Sequence, residues 1–229
     1  MTPVRPRYAT DWRGPFEDRI RARFKRGLRV LDIGSGAQPA IPREELPPES
    51  WYVGLDISSD ELEKAPADAY DATVVADAAT TIPDLRDSFD LVVSWQVLEH
   101  VSSTDAVVTN ARSYLKDGGS FVAMLSGGLS PFALLNRAIP HTLARRVLEG
   151  LTGREPATVF PARYDRCSYA GLQRTFTNWS ELQIECYYRG AGYFRFNPLV
   201  QTVYLALEDR LEQRRSRRFA THYLIEAVR

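Results

Sequence analysis

Val30-Leu31-Asp32-Ile33-Gly34-Ser35-Gly36 is the stretch that decides the fold. An apolar run from Leu28 to Ile33 ends in two glycines one residue apart, which reads as a buried strand entering a tight turn. Four further runs have the length and composition of buried strands: Trp51–Asp56, Thr73–Ala76, Phe89–Ser94 and Ser120–Leu125. The turn Asp117-Gly118-Gly119 leads into the last of them. Helical stretches fall between, at Ser59–Ala65 and Thr104–Lys116. In the second, Ala106 or Val107, Ala111, Tyr114 and Leu115 form the inward stripe. Residues 12–26 precede the first strand as a helix carrying Phe16, Ile20 and Phe24 on one face. Strands alternating with helices predict a mostly parallel sheet covered on both faces.

The pattern changes after residue 126. Pro131–Gly150 reads as one or two helices broken at Pro140, and Thr152–Asp165 as irregular chain. Ser168 is placed to cap a helix reaching about Thr177. Leu182–Tyr188 and Thr221–Val228 read as strands on either side of a helix over Leu199–Arg214. The whole chain is expected to be one domain. Its parts are a core at 28–125, a helical acceptor-side insertion at 126–180, and a C-terminal unit of strands and helix at 181–229.

Hydrophobic residues make up 44% and charged residues 25% of the 229, enough for an ordinary core and against disorder. The two cysteines, Cys167 and Cys186, are too few for a disulfide framework and fit a reducing, cytoplasmic setting. Met1–Arg13 lacks the apolar stretch of a signal peptide, and Gly127, Gly128 and Pro131 interrupt the longest uncharged run, Ser120–Asn136. The net charge of zero is unevenly spread: +6 over residues 1–29, −12 over 30–126 and +6 over 127–229. Such asymmetry marks either anionic partners or ordinary solvated faces.

In open α/β sheets, ligands bind beyond the carboxyl ends of the strands, near the point where strand order reverses. Gly34 and Gly36 allow close backbone approach there. Asp56 ends the second strand, twenty residues after Gly36, where a carboxylate can accept hydrogen bonds from both ribose hydroxyls. Asp77-Ala78 follows the third strand, placed for an adenine edge. A glycine pair alone is a weak signal; three such features at three consecutive strand ends form a much stronger one.

The ordered set D-I-G-S-G, G-L-D-I-S, A-D-A, F-D-L-V-V-S-W-Q-V-L-E-H-V and L-K-D-G-G, over residues 28–125, resembles the class I SAM-dependent methyltransferases. The likeness is to the small-molecule branch that includes quinone-type enzymes. It implies an α/β, Rossmann-like doubly wound sheet of about seven strands, mostly parallel, with Thr221–Val228 antiparallel and a helical lobe after the fifth strand. It also implies S-adenosyl-L-methionine as cofactor. By the resemblance, Gly34, Ser35 and Gly36 pass the methionine end, and Asp32 helps hold its amino group directly or through water. Asp56 grips the ribose, Ile57 lies on the adenine, and Asp77 bonds the adenine amino group beside Ala78. Ser94 offers its carbonyl to the methionine part, with Gln96 nearby. The chain departs from the family where a third glycine is common: Gln38 and Pro39 stand there, so a short or displaced first helix is expected. Proline at that position also argues against a nicotinamide dehydrogenase, whose fingerprint needs a small residue for helix packing.

His100 is the candidate catalytic base, since it follows the fourth strand and histidine titrates near neutral pH; packing on the following helix is the other reading. Glu99 is adjacent, and two such groups are too few to predict a metal. Trp95 either walls the cofactor pocket or packs in the core. Arg163, Tyr164 and Arg166 are candidates for an anionic or sugar-like acceptor, or belong to a solvated connection. The stretch from Phe160 to Arg166 is similar to one in methyltransferases of bacterial glycan, lipid or natural-product assembly. Tyr193, with Tyr187, Tyr188, Phe194 and Phe196, either lines an acceptor pocket or covers the sheet edge. Five arginines between Arg210 and Arg218 follow the apolar Leu199–Leu211, a pattern open to peripheral membrane contact. No nucleic-acid motif accompanies the basic flanks, so no nucleic-acid partner is expected. Oligomeric state is not legible. The expectation is a methyltransferase acting on an O or N atom of a small molecule, a glycan, lipid or natural-product intermediate among them. The competing class is a non-catalytic SAM-fold protein acting through a partner.

Overall fold

A computed structural model describes residues 5–9, 11–138 and 162–229. Seven strands form one sheet: β1 Arg29–Ile33, β2 Trp51–Asp56, β3 Ala72–Val75, β4 Phe89–Trp95, β5 Leu115–Ser126, β6 Glu181–Tyr187 and β7 His222–Val228. Their order is β3-β2-β1-β4-β5-β7-β6. β1 to β5 pair in parallel, and β7 runs antiparallel to both β5 and β6. The sheet is thus the Rossmann-like, doubly wound one expected, with Thr221–Val228 supplying the single reversed strand.

Alternate residues of the central strands feed two cores. On one face Val92, Phe121 and Ala123 pack with Val107, Val108, Ala111 and Tyr114 of α4 (Thr104–Tyr114) and Leu172 of α6 (Tyr169–Thr175). On the other, Leu91, Val93, Val122 and Met124 pack with Phe16 and Ile20 of α2 (Gly14–Arg21). Strands buried on both sides need apolar residues at every position, which is why they read as continuous runs. Strand order reverses between β1 and β4, the place above whose carboxyl ends open α/β sheets bind their ligands.

Several helices take their starts from side-chain caps. Ser58 Oγ accepts Glu61 N to open α3 (Ser59–Glu63), and Ser103 Oγ accepts Ala106 N to open α4. Ser168 accepts Gly171 N to open α6, as its position predicts. Asn197 Oδ1 accepts the amides of Leu199 and Val200 to open α7 (Pro198–Gln213). Two short helices complete the described set, α1 (Pro6–Ala9) and α5 (Pro131–Ala138).

Two boundaries depart most from expectation. α2 spans eight residues within the predicted 12–26 and ends at Arg21, though Phe24 still packs against the core. β5 begins at Leu115, taking residues 115 and 116 from the predicted helix. The Asp117-Gly118-Gly119 turn lies inside it, where the register slips between Phe89↔Leu115 and Leu91↔Ser120. Between β1 and β2 stands only a single 3₁₀ turn, Arg43–Glu45, in keeping with the expectation from Gln38 and Pro39. The helix and irregular stretch predicted beyond Ala138 lie largely outside the described residues.

Candidate cofactor and acceptor site

Gly34 has φ +73°, and a Cβ there would lie 2.2 Å from Val97 Cγ2. Only glycine lets the end of β1 turn beneath the loop that follows β4. The amides of Gly34 and Ser35 both donate to Leu55 O, at 2.7 and 3.2 Å, which ties the turn to β2. Gly36, at φ +47°, places its amide 3.0 Å from Asp56 Oδ2. Asp56 Oδ1 accepts Ser58 N at 2.9 Å. A carboxylate has about four acceptor positions, so Asp56 is oriented by two backbone donors and keeps capacity for two more. Ile57, the next residue, is 62% exposed, an apolar side chain left uncovered beside that carboxylate.

Asp32 has a different surrounding. It is buried, and its Oδ2 accepts the Tyr52 hydroxyl at 2.6 Å and Ala40 N at 2.8 Å. Burial pushes its carboxyl up to about 6, opposed by those hydrogen bonds and by nearby Arg13. Asp32 therefore holds the chain at Ala40 as it leaves the glycine turn. Ser35 is buried too; its carbonyl accepts Tyr70 OH at 3.3 Å, while its Oγ has no partner.

Asp77 Oδ1 accepts Ala79 N at 2.8 Å, closing a turn beyond β3. Buried Asn110 of α4 holds that turn: its Nδ2 donates to Ala78 O at 2.9 Å and its Oδ1 accepts Thr81 Oγ1. Ser94 is buried, with Oγ donating to Ile33 O at 3.1 Å. Gln96 follows in the left-handed region, φ +56°, its amide on Met124 O and its Oε1 accepting Ser126 Oγ at 2.9 Å. A non-glycine residue with positive φ is uncommon and turns the chain sharply out of β4.

Three polar atoms in this turn have no partner while buried: Gln96 Nε2, Glu99 Oε2 and His100 Nδ1. Glu99 is 3% exposed; its other oxygen accepts Ser126 N at 3.1 Å, and burial pushes its carboxyl upward. Unpaired buried polar groups cost free energy, and they gather at sites that bind something. The chain that follows residue 161 arrives at this point: the amides of Arg163 and Tyr164 both donate to Glu99 O, at 2.8 and 2.9 Å. Tyr193 is elsewhere, stacked on Phe132 at the start of α5 with centroids 3.9 Å apart. Arg166 pairs with Asp105 at 2.7 Å.

Several groups that meet here carry no local sequence signal. Trp12 lies against Trp95 (4.6 Å between centroids) and His222 (5.0 Å). Arg13 sits over the Trp95 ring at 4.9 Å and donates to Ala40 O at 2.7 Å. Trp95 thus belongs to the core beneath α2. His222, the first residue of β7, directly opposes Ser126 and is 3% exposed. Its Nδ1 has no partner, and burial, with Arg189 nearby, pulls it down to about 4. A basic arginine ahead of α2 and an aromatic pair are common features of any helix, which is why only tertiary packing reveals them.

Residues 7–159 match a family model described as a methyltransferase domain. A ubiquinone biosynthesis O-methyltransferase of Mesorhizobium japonicum is 35% identical over 149 residues, covering 58% of this chain and 56% of the relative. One of Chelativorans sp. is 32% identical over 114 residues, 47% of this chain and 44% of the relative. The chain therefore spans about half the length of the curated relatives it matches. Among solved structures, phosphoethanolamine N-methyltransferase 2 of Haemonchus contortus, in complex with S-adenosyl-L-methionine, superposes with TM-score 0.59. Identity is 17%, with 95% of this chain and 52% of that one covered. A SAM-dependent methyltransferase from Archaeoglobus fulgidus gives TM-score 0.55 at 16% identity, covering 95% and 92%. With a glycine turn, a carboxylate at the next strand end and this strand order, the chain belongs to the methyltransferase-domain family, on the class I fold of the SAM-dependent methyltransferases.

Proposed function

We propose that the chain transfers a methyl group from S-adenosyl-L-methionine to an oxygen atom of a small molecule. The observation that carries this reading is the Asp56 carboxylate, oriented by Gly36 and Ser58, beside a turn with three unpartnered polar atoms. The named O-methyltransferases among its relatives support oxygen over nitrogen as the accepting atom.

The residues present fit the cofactor. Asp56 would take the ribose hydroxyls with its remaining acceptor positions, and Ile57 would cover the adenine. Asp77 and Ala78, held by Asn110, would meet the adenine edge. Gly34, Ser35, Gly36 and the Ser94 carbonyl would border the methionine end, with Gln96 Nε2 and Arg13 as donors. Asp32 would act on the amino group through the chain it holds at Ala40. When bound, the cofactor supplies a methyl group on a sulfonium that departs as a neutral thioether.

The protein's own work is then alignment, exclusion of water and removal of a proton. His100, with Nδ1 unpartnered, would accept the acceptor hydroxyl's proton, and the neighbouring Glu99 would stabilise the imidazolium. Arg163 and Tyr164, anchored to Glu99 O, would contact the acceptor from the lobe, while Tyr193, stacked on Phe132, stands apart from them. We assign 28–125 as the cofactor-binding core, 126–180 as the acceptor lobe and 181–229 as the closing strands and helix of one domain. A reducing, cytoplasmic setting accords with the two free cysteines. No described helix is long and apolar enough to cross a membrane.

The experiment is methyl transfer from labelled cofactor to a panel of phenols, quinone precursors, phosphorylated sugars and glycolipids. Labelled product with at least one hydroxyl acceptor is expected. Tight cofactor binding with transfer to none would favour the non-catalytic alternative.

A further inference from the structure

α7 has two unlike faces. Inward, Tyr204 and Glu208 are buried. All three of its acids are held by the N-terminal segment: Arg7 reaches Glu208 at 3.4 Å, Asp209 at 2.6 Å and Glu212 at 2.8 Å, and Arg5 reaches Asp209 at 2.9 Å. Outward, Leu199, Val203 and Leu207 recur every four residues and are 74%, 64% and 38% exposed. Arg210 and Arg214 continue that stripe by helical spacing. Both are exposed and, among the described residues, form no ion pair. Phe196, just ahead of the helix, is 56% exposed.

A face that is apolar along two turns and cationic at its end, with every acid of the helix neutralised behind it, fits a layer that is oily below and anionic at its surface. We propose that α7 docks on an anionic lipid bilayer, lying in the interface with Leu199, Val203 and Leu207 toward the acyl region. Arg210 and Arg214 extend to the headgroup phosphates, as long cationic side chains do at membrane surfaces. A second copy is a poorer occupant, because the acids of α7 that an isologous contact would offer to these arginines are already held by Arg5 and Arg7. The docking is independent of the chemistry proposed above. Through Arg7 it joins α7 to the segment that carries Trp12 and Arg13 to Trp95 at the end of β4.

The test is co-sedimentation of the full chain with vesicles of phosphatidylcholine alone and of phosphatidylcholine with phosphatidylglycerol. Binding to the anionic vesicles only, weakening as salt rises, is expected. Arg210→Glu with Arg214→Glu should lower the partition on the order of tenfold or more, given the usual contribution of each cation near such a surface. Leu199→Ser with Val203→Ser should lower it as well, with an unchanged circular dichroism spectrum and unchanged cofactor affinity. The proposal is overturned if the wild type ignores anionic vesicles or if both variants bind as well as wild type. It is equally overturned if light scattering shows a dimer that Leu199→Ser with Val203→Ser dissolves.

Discussion

The carboxylate of Asp56 accepts the amide of Gly36 at 3.0 Å, joining the ends of two neighbouring parallel strands. That bond sets both the direction of the carboxylate and the path of the glycine turn. A ligand bearing adjacent hydroxyls meets an acceptor already aimed and a backbone already bent, so little ordering is left to oppose binding.

Gly34→Ala tests the turn. The added methyl would meet Val97 and would sit at φ +73°. The backbone strain alone costs on the order of 1–3 kcal/mol. Urea unfolding should show a loss of more than about 2 kcal/mol once the clash is included. Gly34→Ala with Val97→Ala should recover the steric part and leave the strain. A single variant as stable as wild type would remove the requirement for glycine there.

His100→Ala tests the base. Turnover should fall by about 100-fold or more, the usual contribution of a general base, with cofactor affinity unchanged. Single-turnover rates beside equilibrium dialysis separate the two effects. An undiminished rate would leave His100 a packing residue.

His222 sets a pH dependence of stability. Unfolded, it takes a proton near 6.5; folded, it does so only at about 4, because burial disfavours the cation. Between those values the unfolded chain binds more protons, so stability falls as pH falls through the window. Relative to His222→Gln, the wild type should lose about 3 kcal/mol on going from pH 7 to pH 4. Parallel pH profiles of the two proteins, measured by urea unfolding, would contradict a buried neutral imidazole.

Glu208 joins the chain's two ends. It accepts the Tyr8 hydroxyl at 2.6 Å, the Gly190 amide and Arg7. Glu208→Ala would leave those donors facing a cavity and should cost about 2–3 kcal/mol. Limited proteolysis should then cut within residues 5–13 faster than in wild type. Unchanged cleavage would mean that the N-terminal segment is held by other contacts.

The centre of the sheet was legible because β1, β2, β4 and β5 are buried on both faces and show as apolar runs, with glycine or aspartate closing the first three strands. Gln38 and Pro39 pointed to a short or displaced helix after β1 for a local reason, the need for a small residue where helix meets strand, and a single 3₁₀ turn stands there. Helix ends were less legible: Arg21 closes α2 although Phe24 keeps the apolar spacing. Asp56 and Gly36 were readable as a pair because both stand at strand ends. Tyr52 on Asp32, Asn110 on Ala78 and Trp12 on His222 were not. Each joins residues at least twenty positions apart whose meeting depends on register and packing, with no local pattern to announce it.

Calorimetric titration of wild type and Asp56→Ala with S-adenosylhomocysteine tests the central claim most directly. The wild type should bind one equivalent, and the variant should bind on the order of 10- to 100-fold more weakly, as expected for loss of hydrogen bonds to a charged group. Equal affinity in the two proteins, or no binding by the wild type at millimolar ligand, would contradict a cofactor site at the carboxyl edge of this sheet.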